Sequence, residues 1–247
     1  MCKFAYKNKE EQILIDTLVS SSLISKEVLL EIKKIYYDNP YHNFLHVLYV
    51  AKLVTLLPCD KFNLLEIKSL LYAALFHDAL HTGKSTELDE YISYDIGLKT
   101  YYELSDKYDL GIINDSIFRH AILGTVFKNR GKIKNKYAII LADLDIGIVG
   151  TNIMNFCYYN AFSIGEEFGQ EPETWVEDYN FFKFLIKTDK NIIISDEARQ
   201  ILPNSYTVMK KFITMSKELK LEMFNYLKNN DVTFEEFKQK YENIIEK

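Results

Sequence analysis

The stretch Leu75-Phe76-His77-Asp78-Ala79-Leu80-His81-Thr82-Gly83 places a histidine beside an aspartate, and a second histidine four residues after the first. It closes an apolar run that begins at Leu70, so we expect His77 and Asp78 to be buried, where an unpaired charge or ring nitrogen is costly. The upstream stretch Tyr41-His42-Asn43-Phe44-Leu45-His46 holds two more histidines, so these two segments contain four of the chain's five. A divalent metal ion would satisfy these groups together, and the sequence therefore predicts a metal site where the segments meet.

A third apolar run, residues 139–150, supplies two candidate acidic ligands, Asp143 and Asp145. They are two residues apart, so a helix sends them to different faces. One of them is expected to reach the ion, and the other could orient a ligand histidine. Imidazoles and carboxylates together suit a divalent ion with open positions for water and substrate. We therefore predict a centre of His46, His77, Asp78 and one of these aspartates, holding Mn, Fe, Mg, Co, Ni or Zn.

The composition favours an all-α chain with a sizeable core. Glycine (9) and proline (4) are scarce, hydrophobic residues make up 48%, and long segments are rich in Leu, Ile, Lys and Glu. No Ser/Gly/Pro-rich linker divides the sequence, which predicts one compact domain over 1–247, with a core at about 26–187 and C-terminal helices packed on it. The segment 64–80 is apolar nearly all round and is the predicted central helix, capped by Asn63 and Glu66.

Other helices are predicted near 10–22, 26–37, 40–57, 87–104, 111–124, 135–149, 152–169, 176–187, 203–228 and 233–245. Pro40 suits the first position of its helix with Asn39 as the cap, which would put His42 and His46 on one helical face. Trp175 is predicted to lie in a looser connection. The β-branched run 192–194 is either a lone strand or a buried turn.

Charge and cysteine content limit the function classes. The net charge of -5 argues against general nucleic-acid binding, but it allows a small anionic substrate, because a bound metal reverses the local charge. The three cysteines are widely spaced and indicate neither a disulfide framework nor a cysteine zinc site, which fits a reducing, cytoplasmic location. We expect neither a signal peptide nor a membrane span. The sequence leaves the oligomeric state undetermined.

These motifs resemble the HD-domain superfamily of metal-dependent phosphohydrolases, whose pattern is a His, a His-Asp doublet and a distant Asp. The two histidine segments are also similar to the cyclic-nucleotide phosphodiesterases. A bacterial branch of predicted HD phosphohydrolases is more similar still, through Phe76-His77-Asp78-Ala79, Asp89-Glu90-Tyr91-Ile92-Ser93, residues 143–150 and Glu166-Glu167-Phe168. The resemblance covers about residues 36–200 and implies a helical HD-domain fold. An ungapped alignment onto Gly150 favours Asp145 over Asp143 as the ligand.

The resemblance implies hydrolysis of a phosphoester in a nucleotide or another small phosphorylated metabolite. The ion would polarise a phosphoryl oxygen and lower the pKa of a bound water that Asp78 orients. His42 would donate a proton to the leaving oxygen; the alternative is a residue that caps a helix or orients a ligand.

Three further groups of residues are candidates for supporting roles. His81 would hold a second ion through a shared water, or would lie on the turn after the helix. Glu90 would orient water, or would be an exposed helix carboxylate. Candidate phosphate contacts are Lys84, Arg119 and Lys128.

Three alternatives to this function remain open. One is an activity like that of the cyclic-nucleotide phosphodiesterases, and another is a metal-bound module that binds or senses a nucleotide without turnover. The third is a zinc peptidase, because His77-Asp78-Ala79-Leu80-His81 imitates an HExxH motif. That motif needs a glutamate as its base, and a peptidase leaves His46 unexplained.

Overall fold

The computed structural model describes residues 2–83, 88–126, 128, 130, 132–147, 152–177, 193–230 and 232–245. Every regular element in these ranges is a helix, and no strand occurs in them, so the predicted all-α class is confirmed. No helix among the described residues is both long and apolar enough to cross a membrane.

The helices are α1 (Cys2–Ser20), α2 (Lys26–Lys33), α3 (Phe44–Val54), α4 (Leu64–Phe76), α5 (Asp89–Tyr108), α6 (Asp115–Gly124), α7 (Lys136–Ile146), α8 (Ile153–Asn155), α9 (Phe162–Glu167), α10 (Pro172–Glu177), α11 (Asp196–Ile201), α12 (Ser205–Thr214), α13 (Lys217–Asn229) and α14 (Phe234–Ile245). A π-helical segment, Phe156–Ala161, joins α8 to α9. A continuous cluster of buried apolar side chains includes Leu14 of α1 and Ile245 of α14.

The predicted central helix is α4. Every side chain from Ser69 to Phe76 is buried, and α4 packs against α3, α5, α6 and α7. Its start is set by the predicted capping box, in which Asn63 Oδ1 accepts from Glu66 N and Glu66 Oε2 accepts from Asn63 N. Because α3, α4 and α7 are mutual neighbours, the three segments that carry candidate ligands converge.

The start of α3 differs from the prediction. The helix begins at Phe44 with Asn43 as its cap, so residues 40–43 precede the helix and His42 is not on its face. Asn43 Oδ1 accepts from His46 N at 3.1 Å. The amide of Asn39, which was expected to cap, donates instead to two backbone carbonyls described below.

Further boundaries were predicted incorrectly. The segment predicted as one helix over 203–228 is broken, because Met215 is extended and Ser216 caps α13. Trp175 lies in α10 and not in a loose connection. Ile193 is buried and forms no strand with Ile194, and Ser195 then caps α11. Residues 178–187 of the predicted 176–187 helix lie outside the described residues.

Candidate metal centre

Four side chains from three elements meet at one point. His46 comes from the first turn of α3, His77 and Asp78 follow α4, and Asp145 lies in the last turn of α7. His46 Nε2 lies 3.3 Å from His77 Nε2, 3.0 Å from Asp145 Oδ1 and 3.3 Å from Asp78 Oδ2. His77 Nε2 lies 3.2 Å from Asp78 Oδ2 and 3.3 Å from Asp145 Oδ1. We call these four residues the four-residue cluster.

These separations suit a shared divalent ion. Two donor atoms bound at about 2.1 Å to one ion lie roughly 3.0 to 3.4 Å apart in octahedral or tetrahedral geometry. His77 Nδ1 donates to Ala74 O at 2.8 Å, so it is Nε2 that faces the cluster and would offer its lone pair to an ion. Asp78 Oδ2 is buried and has no hydrogen-bond partner among the described residues. This set of imidazole nitrogens and carboxylate oxygens could hold a divalent cation.

The pKa shifts in the cluster also show that its surroundings favour positive charge on the histidines and negative charge on the carboxylates. Burial alone would lower the pKa of His77, but the nearby Asp78 and Asp145 outweigh it and hold that pKa well above its usual value. Burial would raise the pKa of Asp78, but the charges of His77 and His42 hold it well below its usual value. The pKa of Asp145 is lowered in the same way by His46 and His77, against the effect of burial. Protons or a metal ion would compete for this site.

Asp143 lies elsewhere, fully buried in a hydrogen-bond network of its own. Its Oδ1 accepts from Arg130 Nη2 at 2.6 Å. Its Oδ2 accepts from Ile194 N at 2.9 Å, from Ser195 N at 2.6 Å and from Ser195 Oγ at 2.7 Å. Oδ2 therefore joins α7 to the start of α11, while Oδ1 is engaged by Arg130. The structure brings Asp145, and not Asp143, to the histidines.

A second group, beside the first, contains His42, His81 and Glu167. The Glu167 side chain is 2% exposed, and its Oε2 accepts from Tyr41 N at 2.8 Å and His42 N at 2.9 Å. Glu167 Oε1 accepts from His42 Nδ1, which leaves His42 Nε2 available for another partner. Burial would lower the pKa of His42, but the charge of Asp78 and the bond to Glu167 outweigh it and raise that pKa.

His81 stacks on His42, with ring centres 3.9 Å apart and planes inclined by 28°. An ion binds a histidine in the plane of the ring, so these nearly parallel rings do not converge on one ion, although their nitrogens and Glu167 lie close together. His81 Nδ1 accepts from Gly83 N at 3.1 Å, and burial and the charge of His42 lower the pKa of His81. The pKa of His42 is therefore raised and that of His81 lowered, so protonation is favoured at His42 over His81.

Two local features hold this histidine pair in place. Asn39 Nδ2 donates to His42 O at 3.0 Å and to His81 O at 2.7 Å, so one amide ties both loops together. Leu80 adopts a left-handed φ of 58°, which is uncommon for a residue other than glycine. At that turn the chain leaves the direction of the α4 axis before it reaches His81. His81 is thus on the turn after the helix, as one of the two predictions had it.

Three remaining candidates lie among the described residues, and none of them belongs to either group. Glu90 is half-buried in the first turn of α5, where burial, and then the charges of Asp78 and Asp89, raise its pKa. Arg119 is exposed, with its guanidinium 5.9 Å from the centre of the Tyr94 ring. Lys128 is exposed. Lys84 lies outside the described residues.

The sequence predicted no contact with the histidines for Glu167, and for Asn39 it predicted only a helix cap. Glu167 lies 125 residues from His42, and no spacing rule connects them. The segment Glu166-Glu167-Phe168 was noted only as part of the family resemblance. An acid placed after a run as apolar as residues 161–165 was the signal that could have identified a buried carboxylate.

No protein-family model matches the sequence, and a search of curated proteins finds no match. Solved structures do match. The phosphodiesterase domain of the RhoPDE fusion protein from the choanoflagellate Salpingoeca rosetta aligns with a TM-score of 0.59 and 13% identity, over 96% of this chain and 93% of that chain. LmjPDEB1 in complex with IBMX aligns with a TM-score of 0.59 and 15% identity, over 86% of this chain and 91% of that chain.

A second structure from Salpingoeca rosetta, the phosphodiesterase domain of its rhodopsin phosphodiesterase, aligns with a TM-score of 0.57 and 15% identity, over 89% of this chain and 83% of that chain. At these identities the likeness is one of fold. The chain has the helical fold of phosphodiesterase domains, and this confirms the part of the sequence resemblance that concerned architecture.

Proposed function

We propose that this protein is a metal-dependent phosphohydrolase of the HD-domain type, acting on a nucleotide or another small phosphorylated metabolite. The observation that carries the proposal is the four-residue cluster, in which two imidazole nitrogens and two carboxylates lie 3.0 to 3.3 Å apart. His46, His77, Asp78 and Asp145 would hold the ion. A divalent ion bound there supplies a positive charge for a phosphoryl oxygen and an activated water.

His42 is suited to act as the proton donor. Its Nδ1 is held by Glu167 and its pKa is raised, so the protonated ring would offer an Nε2 proton to a leaving oxygen. Glu167 fixes the ring orientation, as a carboxylate does for a catalytic imidazole. The stacked His81 and the Asn39 amide restrict movement of the same ring.

The exposed fractions of the four cluster side chains support access of substrate from one side. The side chains of Asp145 and Asp78 are 23% and 13% exposed, whereas those of His46 and His77 are 3% and 1% exposed. Solvent and a substrate phosphate therefore meet the carboxylate side of the cluster. A zinc peptidase is disfavoured, because His46 lies in the cluster and Asp78 contacts both histidines.

A cyclic-nucleotide phosphodiester is the second candidate substrate. The observation that favours it is the helical fold shared with phosphodiesterase domains. It differs from the first candidate in substrate and not in the residues used. A metal-bound sensing module without turnover predicts the same ion site but no hydrolysis.

The proposal is tested by a metal-supplemented screen of nucleotides, cyclic nucleotides, sugar phosphates and bis-p-nitrophenyl phosphate. Asp78→Ala should lose both metal and activity. His42→Ala should retain metal and lose about a hundredfold or more in turnover on alkyl phosphodiesters, the range for a missing general acid. The loss should shrink for p-nitrophenyl substrates, whose leaving group needs no proton.

His120→Ala is the matched control, because His120 is exposed and its ring nitrogen donates to Ser116 O within its own helix. It should leave metal content and turnover unchanged. Metal binding by the wild-type protein without hydrolysis of any substrate would favour the sensing module. Equal slowing of both substrate types by His42→Ala would contradict the proton-donor role.

A further inference from the structure

The backbone carbonyls around the end of α4 are held by side chains from other parts of the chain. The last carbonyls of an α-helix have no amide partner within the helix. One of them, Leu75 O, accepts from the Tyr36 hydroxyl at 2.6 Å, across 39 residues of sequence. Just beyond the helix, Ala79 O accepts from Ser93 Oγ of α5 at 3.2 Å. These two bonds hold the backbone on both sides of the His-Asp doublet.

The Ser93 hydroxyl is directed at this turn and not at its own helix. Ser93 is 1% exposed, so its hydroxyl needs a partner within the protein. A serine inside a helix commonly bonds the carbonyl four residues before it, as Ser69 does with Leu65 O at 2.6 Å. Ser93 donates instead to Ala79 O, 14 residues earlier. Because a buried carbonyl without a donor is costly, this bond fixes the residue that follows Asp78.

Tyr36 reaches the end of α4 from the segment that follows α2. Its ring centre lies 5.9 Å from that of Phe44, the first residue of α3, and its hydroxyl donates to Leu75 O. Burial, and then the charge of Asp78, hold the pKa of Tyr36 well above its usual value. The hydroxyl therefore keeps its proton and acts as a neutral donor to α4.

Asp78 depends on its backbone for its position more than His77 does. His77 Nδ1 donates to Ala74 O at 2.8 Å, which orients the ring directly. Asp78 Oδ2 faces His46 and His77, is buried, and has no hydrogen-bond partner among the described residues. The chain then turns at Leu80, with its left-handed φ of 58°. A shift of the carbonyls on either side would therefore move this carboxylate relative to the histidines.

We propose that Tyr36 and Ser93 are positioning residues of the metal centre, which hold Asp78 where it can share an ion with His46 and His77. Each hydroxyl acts through a backbone carbonyl and not on the cluster itself. The inference rests on the ion site of the proposed function, but not on the hydrolysis of any substrate. Loss of an outer partner typically lowers metal affinity by roughly 10- to 100-fold. The lower end, about tenfold, is expected here because the effect passes through the backbone.

The test compares the loss of single hydroxyl groups at this turn and elsewhere. Tyr36→Phe and Ser93→Ala each remove one hydroxyl from the turn. Tyr101→Phe and Ser205→Ala are the matched controls. Tyr101 and Ser205 are 1% and 2% exposed, and their hydroxyls donate to backbone carbonyls outside this turn at 3.2 Å and 3.0 Å.

The probe is Zn²⁺, whose dissociation constant is measured on the full chain by competition with a fluorescent chelator. The unfolding temperature of each metal-free variant is measured alongside it. All four variants should unfold below wild type, because each loses one buried hydrogen bond. Only Tyr36→Phe and Ser93→Ala should also bind Zn²⁺ about tenfold more weakly. A purely structural role would lower the unfolding temperature without this difference in affinity.

Asp78→Ala defines the Zn²⁺ affinity that remains without the centre. Wild-type affinity in Tyr36→Phe or in Ser93→Ala would overturn the role of that residue, and an equal loss in the matched controls would overturn both roles. If the wild-type protein binds Zn²⁺ no more tightly than Asp78→Ala, the ion site fails and this inference fails with it. If the two variants weaken binding in a protein that hydrolyses no substrate, the inference stands and the phosphohydrolase proposal fails.

Discussion

Asparagine substitutions at Asp143 and Asp145, two residues apart in α7, should have opposite effects. The Asp143 carboxylate is 0% exposed and accepts from Arg130, Ile194 N, and the backbone and hydroxyl of Ser195. Asparagine keeps one oxygen and turns an NH₂ group toward either Arg130 or the Ser195 donors. Breaking a buried charge pair in this way costs about 3 to 5 kcal/mol.

That loss should appear as a lower unfolding temperature. A protein of this size loses roughly 2 to 4 °C for each kcal/mol, so Asp143→Asn should unfold on the order of 10 °C below wild type. Asp143→Asn leaves the side chains of the four-residue cluster unchanged, so the folded variant should still bind metal. Asp145→Asn replaces a donor 3.0 Å from His46 Nε2 and should weaken metal binding by at least about a hundredfold, since even a lost outer partner costs 10- to 100-fold.

The assay combines circular dichroism melting of metal-free protein with elemental analysis after dialysis against Mn or Zn. Metal-free Asp145→Asn should melt closer to wild type than Asp143→Asn, because the Asp145 side chain is 23% exposed and Asp143 is fully buried. Loss of metal by Asp143→Asn at an unchanged melting temperature would refute this assignment. So would full metal retention by Asp145→Asn.

Three other changes have defined outcomes. Hydrogen bonds from Tyr137, Asn63 N and Lys136 lower the pKa of Glu66 to about 2. The stabilisation from this carboxylate is therefore complete above about pH 4.5 and is lost as the pH falls toward 2. In urea unfolding, Glu66→Gln should be less stable than wild type by about 1 kcal/mol at pH 7, and this difference should vanish near pH 2. Asn39→Ala removes the donors to His42 O and His81 O. Turnover should then fall more for substrates with alkyl leaving groups than for those with nitrophenyl leaving groups, while metal content is unchanged. An equal fall for both substrates would count against a role of Asn39 in positioning His42. Gly97→Ala would place a Cβ 2.7 Å from Phe76 Cβ; it should destabilise the protein by about 1 to 3 kcal/mol, and an unchanged melting temperature would show that α5 moves freely.

Much of the helical architecture was predictable because it depends on local rules. The uniform apolar character of residues 64–80 predicted a buried central helix, which the structure ends at Phe76, and the pair Asn63–Glu66 predicted a helix start that the structure confirms. Thr233 and Glu236 make the same pair of bonds at the start of α14. The concentration of histidines in two segments predicted where a metal could bind. These signals act over four residues or fewer, or over one helix face, and therefore survive without knowledge of the fold.

The errors have a common cause in competition between local partners. Asn39 and Asn43 are both good caps, and the sequence ranks them by proline position alone. In the folded chain, Asn39 donates to His81 O, 42 residues away, which leaves Asn43 to cap α3. Similarly, the helical pattern predicted one helix over 203–228, whereas in the folded chain Ser216 caps a new helix, α13.

The sequence by itself determined that the chain is helical, that α4 is buried, and that histidines and aspartates accumulate beside apolar runs. Only the tertiary structure decided which acid joins the histidines. Asp143 and Asp145 have the same chemistry and almost the same sequence context, but Arg130 and Ser195, the latter 52 residues from Asp143, engage one of them. Glu167 likewise acquires its contact with His42 across 125 residues. The pKa of a buried carboxylate depends on the groups that surround it in space, and packing decides which groups those are.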